Sequence, residues 1–393
     1  MRSKTFLVIS LLILALGACN PVQLPANIKN APFTITETPT PIGTSTNVPL
    51  LTQLNGPDVT SPALIQIAFQ DTNNGWGIAS NGRDSILRTA DGGATWHNVT
   101  PAGLNGTLAI SFFLDTTTGW VSISGADPTS GTLYHTTDGG VTWTSTTVPF
   151  SGGSIKFVDP NHGWELVGLS AAMSHEAVAI FRTNDGGMTW SQVFINDPSA
   201  SSSSDSLPLV GDKNGIAALD ASHGWVTGAQ PSEDSIYIYS TQDGGTTWTH
   251  QDLTLPIGYK GAMTDAYLPV FFGTRDAILP VRLYATDIGA EFYISHDGGQ
   301  NWTATTPVAQ EGLFSIASPT DFFVWDGGSS LRVTHNAGDS WSTVTPNVNI
   351  QGNIISMEFV NSTTGWAITS DASKHNSLYK TIDGGKTWNT LIP

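Results

Sequence analysis

The stretch that decides the fold is Thr89-Ala90-Asp91-Gly92-Gly93-Ala94-Thr95-Trp96. It recurs as Thr136–Trp143, Thr183–Trp190, Thr241–Trp248, Ser295–Trp302, Thr334–Trp341 and Thr381–Trp388. Its third place is Asp91, Asp138, Asp185, Asp243, Asp297, Asn336 and Asp383, so the steps are 47, 47, 58, 54, 39 and 47 residues. A period of this size is the mark of a repeat architecture. Apolar and β-branched residues precede each octet, as in Ile86-Leu87-Arg88-Thr89, and alternating residues follow it, as in Trp96-His97-Asn98-Val99. Strand, tight turn and strand make a β-hairpin. The Asp carboxylate accepts from backbone N–H groups further along the turn. The second Gly of each pair is expected at positive φ. The closing Trp (Trp96, Trp143, Trp190, Trp248, Trp302, Trp341, Trp388) supplies a large apolar wedge between modules. Six turn-making aspartates and one asparagine, one per module, are structural rather than catalytic.

Working outward, most modules carry a second signature, Phe-x-Asp-x-x-x-Gly-Trp. It stands at Phe69–Trp76, Phe113–Trp120 and Phe157–Trp164, and is altered at Leu219–Trp225 and Phe359–Trp366. The fifth module loses it at Thr274-Arg275-Asp276-Ala277, and the sixth keeps a displaced Trp325. An apolar strand precedes this turn and the Trp begins the next, so each module holds four antiparallel strands. One such sheet cannot bury both of its faces, whereas seven set radially bury them against each other. The expectation is an all-β, seven-bladed propeller over residues 50–393. Val48–Leu54 is a candidate strand for the outer edge of the last blade.

Arg2 and Lys4 precede the apolar run Phe6–Leu16, which is too short to span a bilayer and suits a secretory signal core. Leu16-Gly17-Ala18-Cys19 follows, with the chain's one cysteine, so no intramolecular disulfide forms. The sequence resembles a lipobox, which implies a signal peptide over 1–18, a lipidated Cys19 and attachment to the outer face of a bacterial membrane. An acyl chain anchors by burying hydrocarbon, about 0.8 kcal/mol per CH₂. Residues 19–49 are rich in Pro, Thr and Asn and lack hydrophobic periodicity, which predicts a disordered tether.

The net charge of −17, with only 12% charged residues, disfavours nucleic acid and anionic lipid surfaces as partners. Nine scattered histidines and one cysteine give no metal-ligand spacing, and neither metal nor cofactor is expected. Arg88, Arg182, Lys380 and His135 share a repeat position, which favours a structural role.

The octets resemble the Asp-box, or BNR repeat, of sialidases and sortilin-type propellers. Together with Phe-x-Asp-x-x-x-Gly-Trp they resemble the photosystem II stability/assembly factor-like family. That resemblance implies a non-catalytic scaffold that binds protein. The sialidase likeness ends at the box: that chemistry is implied to need an arginine triad, and the Phe/Tyr-Arg-Ile-Pro motif of its first arginine is absent. Asp-box xyloglucanases are implied to use two carboxylates across a cleft between two propellers, and here there is one. A glycan-binding or glycoside-hydrolysing propeller is the alternative function.

Functional insertions are expected on the face opposite the boxes, where the long steps fall: Phe194–Asn214 and Asp252–Tyr267, with Gly168–Glu176 and Ala229–Ser235 beside them. The candidate partner-binding residues are Asp205, Asp212, Glu233, Asp234, Asp252 and Asp265, with Tyr259 and Tyr267 as aromatic anchors.

Overall fold

The computed structural model describes residues 56–393, apart from 126–128, 173–174, 231–233, 286–287, 310–311 and 349–353. The expected signal peptide, Cys19, the tether, Val48–Leu54 and Glu233 lie outside the described residues. The chain is a seven-bladed β-propeller. Blades one, two, three, six and seven are separate four-stranded sheets, and blades four and five are joined into one ten-stranded sheet. Within a blade the strands are antiparallel and sequential. In blade one, Leu64–Phe69 pairs with Gly75–Ser80, which pairs with Asp84–Thr89, which pairs with His97–Asn98. The first strands of blades two and three, three and four, six and seven, and seven and one lie next to one another.

Seven hydrophobic clusters occupy the seven junctions between blades. Trp76 and Ile78 of blade one pack with Phe113 and Val121 of blade two. Leu64, Ile67 and Phe69 of blade one pack with Trp366, Ile368 and Leu378 of blade seven. The Phe-x-Asp-x-x-x-Gly-Trp signature is the joint between neighbours. Its Trp stacks on the Phe of the next blade: Trp120 on Phe157 at 3.6 Å and 4°, Trp366 on Phe69 at 3.6 Å and 3°, Trp76 on Phe113 at 4.5 Å. Its indole N–H donates to a turn carbonyl of the next blade, Trp76 to Asp115 O, Trp120 to Gly186 O, Trp164 to Asp220 O and Trp366 to Gly92 O. The signature's Gly is required by close approach: a Cβ on Gly75 would stand 2.6 Å from Cδ1 of Phe69.

The other face of each indole carries a cation or an imidazole from the third strand. Arg88 lies over Trp76, Arg182 over Trp164 and Lys380 over Trp366 at 4.3, 4.6 and 5.0 Å, and His135 stacks on Trp120 at 4.6 Å. The repeat-aligned basic residues are thus part of the inter-blade core. Burial lowers the Arg88 pKa to about 10, and the Asp115 and Asp71 carboxylates oppose that shift.

Among the described residues, blades one and seven are each complete four-stranded sheets. Side chains seal the junction: Glu358 accepts from Phe69 N–H, Lys380 donates to Thr72 O, and Asn376 donates to Leu64 O.

Candidate interaction face

Antiparallel order puts the Asp-boxes on one face of the ring and the second-to-third and fourth-to-first connections on the other. The boxes are closed structural units. Thr95 N–H and Thr95 Oγ1 donate to the two oxygens of Asp91 at 2.9 and 2.6 Å, and Thr89 Oγ1 donates to it at 2.9 Å. Burial alone would raise the pKa of this carboxyl, and the bonds from Thr95 and Thr89 hold it below the usual value. In the fifth box the Asn301 side-chain amide brings Asp297 down to about 2. Both glycines of the pair, not only the second, have positive φ: Gly92 at 73° and Gly93 at 91°. In the sixth box Ala337 takes the first of these places at φ 58°.

The opposite face is built up over blades three to five. In blade three, Gly163–Ala172 and His175–Thr183 form a hairpin that outruns the blade's first strand, Ser154–Phe157. The Phe194–Asn214 insertion is packed down beside it. Asn196 accepts from Val178 N–H and donates to Leu207 O, and Leu207 is fully buried. Glu176 N–H donates to Leu209 O, and Glu176 Oε2 accepts from Lys213 N–H. The Lys213 ammonium is buried among the carbonyls of Leu209, Gly211 and Glu176. Burial lowers its pKa to about 8, with the Glu176 and Asp212 carboxylates opposing.

The insertion between blades four and five contains a strand that the sequence pattern does not reveal. Met263–Ala266 pairs with Ala229–Gln230 of blade four and with Val281–Tyr284 of blade five, joining the two blades. Asn214 fastens it from blade four, donating to Asp265 Oδ1 at 2.6 Å and to Ala266 O at 2.9 Å. Arg282 lies over the Tyr267 ring at 5.6 Å and donates to Gly312 O. Asp265 and Tyr267 are therefore 4% and 8% exposed, and neither is a surface anchor. Asp265 is turned inward on the bridging strand towards Asn214, and Tyr267, just past the end of that strand, packs against Phe314 in the junction of blades five and six.

The other candidates divide by exposure. Asp205, Asp234 and Asp252 are exposed, and Asp212 and Tyr259 are half-buried. Asp234, at φ 61°, accepts from Gly261 N–H at 2.6 Å. Asp252 lies 3.0 Å from His250 Nδ1. The turns Tyr259 N–H to Pro256 O and Ala262 N–H to Tyr259 O hold up the tip that carries Ile257, whose side chain is fully exposed. Leu169, Val210 and Met263 are also exposed in this region, at 44, 36 and 37%. Charge-based reading missed these four apolar residues. The one signal for them was Pro256-Ile257-Gly258, an apolar residue set at the tip of a turn. Among the described residues no group of three or more His, Cys, Asp or Glu side chains is placed to hold a metal ion.

Fold and repeat together define the class: an Asp-box propeller with one built-up face. Residues 57–204 match the family model described as photosynthesis system II assembly factor YCF48, and residues 293–304 match the BNR/Asp-box repeat. The chain thus resembles the photosystem II assembly factor family. Among solved structures, "YCF48 bound to D1 peptide" is 18% identical and covers 82% of this chain and 94% of its own, with a TM-score of 0.52. The GH74 xyloglucanase of Xanthomonas campestris is 10% identical over 84% of this chain and 55% of its own, with a TM-score of 0.55. Prolyl oligopeptidase B of Galerina marginata is 10% identical over 84% and 51%, with a TM-score of 0.52. These likenesses establish the propeller. No curated protein sequence matches the chain.

Proposed function

We propose that this chain is a non-catalytic, protein-binding scaffold of the photosystem II assembly factor-like kind. In this reading the lipid on Cys19 holds it at the outer face of a bacterial membrane. It engages its partner through the face above blades three to five. The observation that carries the reading is the concentration there of exposed apolar side chains among carboxylates on packed insertions. Of the nine large apolar residues exposed among the described residues, Leu169, Val210, Ile257 and Met263 lie in this region. Apolar anchors ringed by polar groups are the usual make-up of a protein interface. Asp205, Asp234 and Asp252 give it an acidic rim, which selects a cationic partner. The solved structure of YCF48 bound to a D1 peptide supports a protein ligand by analogy.

The test is affinity capture from the native membrane. A variant combining Asp205→Lys, Asp234→Lys, Asp252→Lys and Ile257→Asp is expected to lose the partner that the unaltered chain retains. Equal capture by both chains overturns the assignment of this face. For the anchor, Cys19→Ser is expected to abolish acyl labelling and release the chain from the membrane fraction.

A further inference from the structure

The two tall hairpins of the built-up face share a geometry and differ in one respect. In blade five the first strand, Val270–Phe272, pairs only with Asp276–Ile278 of the second strand. Beyond that reach the same axis-side edge is taken by the bridging strand, which pairs antiparallel with Val281–Tyr284. In blade three the first strand covers Gly163–Leu166 of the second strand and stops. The second strand continues through Ala172, paired on its other edge with the third strand up to His175. Along the axis-side edge from Val167 to Ala172 no strand is paired among the described residues. Gly168, Leu169, Ser170 and Ala171 are all exposed there.

An unpaired strand edge offers alternate N–H and C=O groups as a template for another strand. Blade five shows the equivalent edge filled by an antiparallel strand, Met263–Ala266, which runs on through Tyr267, whose N–H donates to Pro280 O, into that blade's own first strand. We infer that the Val167–Ala172 edge of blade three binds an extended segment of the partner by strand addition, at the site equivalent to the one the bridging strand fills in blade five. The inference deepens the scaffold reading and rests on it for the presence of a partner.

Two features narrow the occupant. The first is charge. Asp205 and Asp234 are exposed and Asp197 and Asp212 half-exposed on the surrounding connections, while the Lys213 ammonium is buried. A segment flanked by Lys or Arg is therefore favoured over one flanked by Asp or Glu. The second is the bulge between Gly168 and Ser170, which takes Leu169 out of the ladder. Bulges guard edges against indiscriminate pairing by bending them away from a regular partner. The added strand is accordingly short, with an apolar side chain beside the exposed Leu169, and a second flat sheet is not accommodated.

The experiment uses the full chain and a synthetic peptide, Lys-Thr-Val-Thr-Val-Lys, with two analogues N-methylated on alternate residues and one with Asp in place of Lys. Amide hydrogen exchange and calorimetric titration are the readouts. The peptide is expected to slow exchange within Val167–Ala172. One N-methylated analogue should lose binding while the other keeps it, because a strand added at one edge uses alternate N–H groups. The Asp-flanked peptide and the Leu169→Lys variant should each bind about tenfold more weakly. Absence of slowed exchange, or equal binding of the two N-methylated analogues, overturns strand addition. Slowed exchange that grows with protein concentration and without peptide assigns the edge to a second copy of this chain and also overturns it. If the native partner is still captured while the peptide protects nothing, strand addition fails and the scaffold reading stands. If the peptide protects the edge but no partner is ever captured, the edge is supported and the scaffold reading fails.

Discussion

Two residues occupy positions that their chemistry resists. Ala337 holds a left-handed conformation at φ 58° where every other box has Gly. A Cβ in that region costs about 1–2 kcal/mol. Ala337→Gly is expected to raise stability by about 1 kcal/mol, less whatever packing its methyl supplies, as measured by denaturant unfolding. Glu165 is the second case. At the equivalent place other blades have Gly77, Val121, Val226 and Ala367. Glu165 is wholly buried in the junction of blades two and three, and neither carboxyl oxygen has a hydrogen-bond partner. Burial raises its pKa well above the ordinary value, so the folded chain keeps a proton that the unfolded chain releases. The folded form is therefore favoured most below the unfolded pKa, near 4.5, and loses that advantage as pH climbs towards the folded pKa. Relative to Glu165→Gln, the unaltered chain should grow less stable as pH rises from about 4.5 to 8. Parallel melting curves of the two chains across that range would refute the assignment.

At the scale of elements, the box is a turn clamp and the second signature is a joint. Asp91 joins the strand end at Thr89 to the far side of the turn at Thr95. Asp91→Ala is expected to cost about 1–3 kcal/mol through those lost bonds while leaving partner capture on the opposite face intact. A variant of unchanged stability that loses its partner would show that the binding face has been misassigned. The box was legible in the sequence because its Asp, Gly and Trp act within eight consecutive residues. So was the shared placement of Arg88, Arg182, Lys380 and His135, although their stacking on indoles was not. The bridging strand was not legible. Met263–Ala266 is short, lies in a unique insertion, and earns its strand character from partners in two blades rather than from any alternation of its own.

For the whole molecule, the consequence of radial symmetry is that one junction must join the two ends. Here, among the described residues, Phe69 stacked on Trp366, with Glu358, Lys380 and Asn376 reaching across, does that work through side chains. Trp366→Ala removes both the stack and the indole bond to Gly92, and should cost about 3–5 kcal/mol. Hydrogen exchange should then show blades one and seven opening before blades three to five, which the bridging strand and the packed insertions tie together. Uniform opening around the ring would mean that the closing junction is no weaker than the rest.

The sequence by itself determined the repeat, the number of blades, the face that carries the boxes and the place of the long insertions. Those properties come from local turn chemistry repeated seven times, and a pattern within eight residues needs no distant partner to be read. Only the tertiary structure decided what the insertions do. It turned Asp265 and Tyr267 inward, brought Ile257 and Leu169 to the surface, and covered the edge in blade five while leaving the one in blade three open. Each of these outcomes depends on pairing between segments tens of residues apart in sequences that occur once, where burial is set by the neighbouring blade and not by the residue's own type.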